Sequence, residues 1–334
     1  GRDGHRARPR WDWLVLALMA GFFVRVLRKL DWLNLPETAQ LLWSGAQRAA
    51  FGSTANRFGV WNAVILAACL LLHRRIWGAA EPKTVHRIRK TAWIVMTAAS
   101  AAGLVFSQSR SAWAATALIL APVLIWKWYR SSRLRIRART LIVLLSATAA
   151  GLTLFSNIIE RRLLTGGAAY TQFLAGDIDL QTRTGDNNID SLYERLLIYK
   201  LFWEKWWARP WTGYGPGTPA ILITTSAGEY DRIARYTHFH NLGFDILIQF
   251  GAVGFLFFSA LGWLIIRALW QGRRDGSIPL DYFLFVLSAL ALVLASCLTG
   301  QAMRDYKGVY LVGFLGGMAY TSRFTKAPPP RAAG

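Results

Sequence analysis

Long apolar runs alternate with short charged segments along most of this chain. Runs of about 16 to 25 residues are long enough to cross the hydrocarbon layer of a bilayer as helices. They cover roughly 11–27, 57–72, 91–107, 112–127, 140–156, 241–267, 280–298 and 305–321. A soluble helix of similar length would interrupt its apolar stripe with a polar face. Eight spans are therefore predicted, and with them an all-α, polytopic integral membrane protein. The first run is not followed by a small-residue cleavage site, so it reads as a span rather than a removable leader.

Composition agrees with this pattern: of 334 residues, 54% are hydrophobic and 17% charged. Cys69 and Cys297 both lie within apolar runs and read as small core residues, which excludes a secreted disulfide scaffold.

The net charge of +21 changes the picture only through its location. Five segments carry nearly all of it: residues 1–10, His73–Lys90, Lys127–Arg139, Arg267–Gly276 and the tail after Tyr320. They fall on every second connection and on both termini, which is the positive-inside pattern and predicts cytoplasmic termini. No aromatic-basic stripe accompanies the charge, so a nucleic-acid partner is not indicated.

The opposite side holds Arg28–Asn56, the short turn Ser107–Ser111, the stretch Asn157–His240 and Thr299–Arg304. The third of these has 84 residues, with nine Lys/Arg balanced by nine Asp/Glu. A connection of that length between spans usually carries function. Trp203, Trp206, Trp207 and Trp211 suggest that part of it lies along the membrane surface. The predicted organisation is a set of N-terminal spans (1–156), a large outer loop (157–240), three C-terminal spans (241–322) and a cytoplasmic tail (323–334).

Candidate chemistry collects on that outer side. His238 and His240 are the only outer histidines, and they stand at the start of the span beginning near Asn241. A histidine there can stay neutral and act as a base, because burial disfavours its charged form. It can equally serve as a cap or an interfacial group, and both roles remain open at this point. Arg110 is pinned in the turn Ser107-Gln108-Ser109-Arg110-Ser111, Arg195 opens a helix-like stretch Arg195–Trp207, and Arg304 lies in the last outer turn. A guanidinium held at the interface offers fixed paired donors suited to phosphate. Snorkelling to lipid headgroups would also explain Arg110 and Arg304, and a salt bridge to Glu194 or Asp190 would explain Arg195. Asp177-Ile178-Asp179 has the spacing of a metal-binding pair, but its polar surroundings read as a solvated turn. Gly213-Tyr214-Gly215-Pro216-Gly217 reads as a turn because no Lys-Ser/Thr follows it. Neither a metal nor another cofactor is indicated.

These residues resemble a known family. His240-Asn241, followed by Leu247 and Gln249-Phe250-Gly251-Ala252-Val253-Gly254, is similar to the His-Asn…Gly-x-x-Gly hallmark of the O-antigen ligase and polymerase superfamily. Ser107-Gln108-Ser109-Arg110-Ser111-Ala112-Trp113 resembles that family's Ser-x-Ser-Arg turn. Glu194-Arg195…Trp203, then Arg209-Pro210-Trp211-Thr212-Gly213-Tyr214-Gly215-Pro216-Gly217, resembles its loop pattern. Phe51-Gly52-Ser53-Thr54-Ala55-Asn56-Arg57-Phe58 is similar to the segment leading into an earlier span. The order of the four, with three spans after the large loop, also agrees. The family has more spans than this chain shows, and the additional ones are expected ahead of residue 11.

The resemblance implies a GT-C-like helical glycosyltransferase of the bacterial inner membrane, with its active site facing the periplasm and no metal or nucleotide sugar. The implied donor is an O-antigen polysaccharide on undecaprenyl diphosphate, and the implied acceptor is the lipid A–core oligosaccharide. It further implies His240, Arg110 and Arg195 as catalytic residues. Arg110, Arg195, His238, Asn241 and Arg304 would bind substrate, with membrane lipids as surroundings. An O-antigen polymerase or a protein O-oligosaccharyltransferase shares the His-Asn motif. A transporter of lipid-linked glycan is the alternative of another class, but it would show ionisable groups in mid-span, and these are nearly absent.

Overall fold

The computed structural model describes residues 11–51, 53–77, 83–130, 155–160, 187–226, 230–298 and 306–324, with Thr153, Gly228 and Gly300 besides. Among the described residues the chain is helical, with no strand. The helices are α1 (Trp11–Lys29), α2 (Leu35–Trp43), α3 (Ala55–Trp77), α4 (Lys83–Phe106), α5 (Arg110–Tyr129), α6 (Asn187–Trp206), α7 (Thr218–Thr225), α8 (Leu242–Arg274), α9 (Leu280–Cys297) and α10 (Tyr306–Phe324). Seven of the eight predicted spans fall on α1, α3, α4, α5, α8, α9 and α10. The eighth, 140–156, lies almost wholly outside the described residues. Among the described residues, three helices are long and apolar enough to cross a membrane: α3 over Ala55–His73, α8 and α9. Charged turns shorten the apolar part of others, as in α4, which opens with Lys83, Arg87, Arg89 and Lys90.

Helix α9 is apolar nearly all round and most of it is buried, packed against α3, α5, α8 and α10. Its Phe285, Val286, Ala289 and Val293 meet Val64, Ala67, Ala68 and Leu71 of α3 in one continuous core. Small residues allow close approach: a Cβ on Gly59 would lie 2.7 Å from Ser107 Oγ and 3.0 Å from the Ala112 methyl.

Polar contacts close one end of this bundle. Lys127 of α5 pairs with Asp281 of α9 at 2.8 Å and donates to the Leu71 carbonyl of α3 at 2.9 Å. The Tyr282 hydroxyl donates to Asp12 of α1. The starts of α1 and α9 thus share an end with the last turns of α3 and α5. The charge pattern had assigned those same termini to a single side.

A second, smaller core joins α6, α7, the 3-10 turn Asp231–Ile233 and the first turns of α8 through Leu197, Ile198, Leu201, Phe202, Ile223, Ile233, Phe239 and Ile248. Phe202 and Phe244 stack with centroids 3.9 Å apart. The predicted outer loop is therefore, where described, a helical cap. Its main helix starts at Asn187, eight residues before the expected Arg195, and Asp190 and Glu194 in these added turns are taken up by Arg232 and Arg235.

Cap and bundle are joined at a break in α8. Gly251 has φ 62 and ψ −166, outside helical geometry, and the 210–217 loop fills the gap. Ala252 N–H donates to the Pro210 carbonyl at 2.8 Å and Val253 N–H to that of Trp211 at 3.2 Å. In return, Tyr214 N–H donates to the Ile248 carbonyl at 2.8 Å and Gly215 N–H to that of Gln249 at 2.9 Å. Gly217 N–H adds a bond to Gln249 Oε1 at 2.9 Å. Two glycines make this possible. A Cβ on Gly213 would lie 2.6 Å from the Ile248 oxygen, and one on Gly251 would overlap the Trp211 carbonyl. Beyond the break, residues 252–274 extend about 34 Å at about 1.5 Å per residue. Val253, Leu256, Phe257, Leu261 and Trp263 stand exposed on this part, as lipid contact would have them.

Gly251→Ala combines the overlap with a left-handed backbone on alanine. It is expected to destabilise the protein by about 2–4 kcal/mol. Gly262→Ala, where nothing lies within 4 Å of the added methyl, is expected to be neutral or to stabilise by up to about 1 kcal/mol. Thermal unfolding in detergent checks the contrast, and equal midpoints would contradict this account of the break.

Candidate active site

The site is assembled where α6 faces the segment 230–240. Asp190, Tyr193, Glu194 and Leu197 recur at helical spacing and so lie on one side of α6. Arg232 is buried and pairs with Asp190 at 2.6 Å, with its guanidinium over the Tyr193 ring at 5.5 Å. Glu194, only 5% exposed, accepts from Arg235 at 2.7 Å and from the Tyr236 hydroxyl. Farther along α6, the Tyr230 hydroxyl donates to Glu204 at 2.6 Å. Three carboxylates of α6, through four side-chain links, thus fix the segment that ends at the two histidines. Burial and the bond to Glu194 both raise the Tyr236 phenol above its ordinary pKa, so it stays a neutral donor.

His240 sits at the join to α8 with φ 52, a left-handed backbone uncommon for a side chain of this size. Its neighbours hold it there. Its N–H donates to His238 Nδ1 at 3.1 Å. Phe239 N–H donates to the buried Asp245 carboxylate at 2.9 Å. Asn241 is the N-cap of α8, its Oδ1 accepting from Gly243 N–H at 2.9 Å and from Phe244 N–H at 3.4 Å. The imidazole packs edge-on against Tyr236, centroids 4.6 Å apart at 86°, and against the His238 ring at 4.0 Å. Its Nε2 is buried and has no hydrogen-bond partner among the described residues.

Arg195 lies half-buried on α6, close enough for its charge to act on His240. The salt bridge to Glu194 or Asp190 that the sequence allowed does not form, since those carboxylates are bound to Arg235 and Arg232. Among the described residues Arg195 makes no ion pair. Its cation is left beside an imidazole with a bare Nε2.

The structure therefore gathers Arg195, His238, His240 and Asn241. In this arrangement His238 supports the backbone and Asn241 caps the helix. Arg110 begins α5 in the predicted turn, on the bundle side. That turn is clamped by Gln108 Nε2 donating to the Gln47 carbonyl at 2.8 Å and by Arg48 Nε donating to the Ser107 carbonyl at 3.1 Å. Arg304, Asp177 and Asp179 lie outside the described residues. Tyr236 and Asp245 were not singled out from the sequence, and Glu194 was named only as a possible partner of Arg195 and as its neighbour in the motif. A hint was present in the complementary pairs Asp190/Glu194 and Arg232/Arg235, but nothing in one dimension sets them opposite each other.

Burial, and next the Arg195 charge, lower the His240 pKa to about 4, with Glu194 opposing. The folded value lies below the ordinary 6.5, so the neutral ring adds stability above that pH. This contribution is lost as pH falls toward 4. Arg195→Gln is expected to move the His240 titration upward while leaving it below the ordinary value, because burial remains. Imidazole NMR titration of the labelled protein in nanodiscs checks this, and an unchanged or lower value would contradict the coupling.

No curated protein matches the chain. The family model described as O-antigen ligase matches residues 95–259, a stretch running from α4 through the 107–111 turn, α6 and His240 into α8. With Arg110, Arg195 and His240 inside that stretch, and the described residues around it forming apolar helices, residues 95–259 place this part of the chain with the O-antigen ligase superfamily.

Proposed function

We propose that this protein is an O-antigen ligase of the inner membrane. It would transfer a polysaccharide from undecaprenyl diphosphate to a sugar hydroxyl of the lipid A–core oligosaccharide, at the periplasmic face. The observation that carries this reading is a half-buried guanidinium, Arg195, with no ion pair among the described residues, acting on a histidine whose buried Nε2 is unoccupied. A glycosyl diphosphate already has a good leaving group, so the protein must stabilise departing charge and accept one proton.

In the proposed step the acceptor oxygen bonds to the anomeric carbon as the carbon–oxygen bond to the diphosphate breaks. His240 Nε2 takes the hydroxyl proton. The diphosphate leaves with the bonding pair, its charge held by Arg195 in a site shielded from water. Arg110, on the bundle side, is assigned the second contact with the diphosphate. The low basicity of His240 in the free protein fits this order of events. Binding a diphosphate beside Arg195 offsets the guanidinium charge and raises the imidazole pKa, so the base strengthens when donor is present. The proposed layout keeps 1–156 and 241–322 as membrane-spanning parts, 157–240 as the periplasmic cap and 323–334 as a cytoplasmic tail.

The test is complementation of a ligase-null strain, reading both the lipopolysaccharide ladder and the carrier-linked polymer. Wild type is expected to restore the ladder, and His240→Ala to leave polymer on the carrier at normal expression, with transfer down by about 10²–10⁴. Arg195→Gln is expected to lose about 10²–10³ in rate, and Arg195→Lys to recover part of it. Lengthened carrier-linked chains without a ladder would make the protein a polymerase. Full activity of His240→Ala would remove the base assignment.

A further inference from the structure

We propose that Tyr236, anchored by Glu194, is the positioning residue that sets the plane of the His240 imidazole. The role of His240 as base rests on the ligase reading; the positioning itself does not. Among the described residues neither ring nitrogen of His240 makes a hydrogen bond. Among the described residues no carboxylate or carbonyl orients it, which is how a catalytic base is commonly held. Ring packing is what remains, from His238 at 4.0 Å, whose Nδ1 is taken by the His240 N–H, and from Tyr236. The Tyr236 ring meets the imidazole edge-on, with centroids 4.6 Å apart at 86°.

Tyr236 is in turn held at both its hydroxyl and its face. The hydroxyl donates to Glu194, and Arg235 lies over the ring at 5.2 Å while its NH2 bonds Glu194 at 2.7 Å. A buried carboxylate needs strong donors to offset its desolvation, and Glu194 finds them in these two neighbours. The charged residue next to Arg195 in sequence thus holds the ring that holds the base, leaving Arg195 without a carboxylate partner. The titratable and charged groups around His240 are Arg195 and Glu194 from α6, Tyr236 and His238 from its own segment, and Asp245 from α8.

Three variants separate positioning from simple support. Tyr236→Leu removes the ring, Tyr236→Phe keeps the ring and removes the anchor, and Glu194→Gln keeps an acceptor for the phenol but removes the charge. The transfer assay and the His240 NMR titration are run on each full-length variant in nanodiscs. Tyr236→Leu is expected to lower kcat by about tenfold or more with KM changed less than about twofold, and to change the imidazole shifts. Tyr236→Phe is expected to fall between it and wild type. Glu194→Gln is expected to lower the His240 titration further, since the Glu194 charge opposes that of Arg195. If Tyr236→Leu does not fold, Tyr236→Phe and Glu194→Gln carry the test.

Wild-type kcat and imidazole shifts in the Tyr236 variants would overturn the proposal. So would lost activity with a lowered thermal midpoint but an unaltered His240 spectrum. If wild type itself transfers no glycan, the ligase reading fails alone, and the imidazole shifts still decide the positioning.

Discussion

The backbone of Pro210–Thr212 enters the hydrogen-bond ladder of α8 where Gly251 opens it, and the rest of the site depends on that crossing. A helix interrupted near a membrane boundary leaves N–H and C=O groups that must find partners. Here the partners come from the loop that follows α6, so both chains are satisfied at one point. The segment before the break, 242–250, packs with the cap through Phe244, Leu247 and Ile248. The segment after it is an apolar span. The break thus lets one helix belong to two cores.

His240 gains its setting from this arrangement. It stands one residue before the N-cap of α8, on the cap side of the break, and the cap supplies Arg195, Glu194 and Tyr236 around it. Charge is sorted among neighbours: Asp190 takes Arg232, Glu194 takes Arg235, and Arg195 keeps its field for the imidazole. A left-handed residue at this point carries a conformational cost, offset by the Asp245, Asn241 and His238 bonds that hold both flanks. Strain held by several independent bonds is a common feature of a prepared site.

Arg110 is held by a different part of the molecule, a turn clamped to residues 45–48. The two candidate anion-binding arginines therefore ride on separate cores, one on the bundle and one on the cap.

Much of the fold was legible in one dimension because a bilayer imposes a length and a polarity on every span. The apolar runs fell on seven described helices, though α4 begins at Lys83 rather than 91 and α8 runs on to Arg274 rather than 267. The loop charges agree with the contacts that set the starts of α1 and α9 beside the ends of α3 and α5. His240, Arg195 and Arg110 could be named because their motifs follow in order along the chain. Other features were hidden for physical reasons. Helix α6 starts early because Asp190 and Glu194 find partners some forty residues away, and α8 is broken by a backbone that approaches from another segment. The sequence by itself determined the long apolar helices and the ordered site motifs, since these follow from local composition. Only the tertiary structure decided which carboxylate takes which arginine, because pairing depends on contacts between segments distant in the chain.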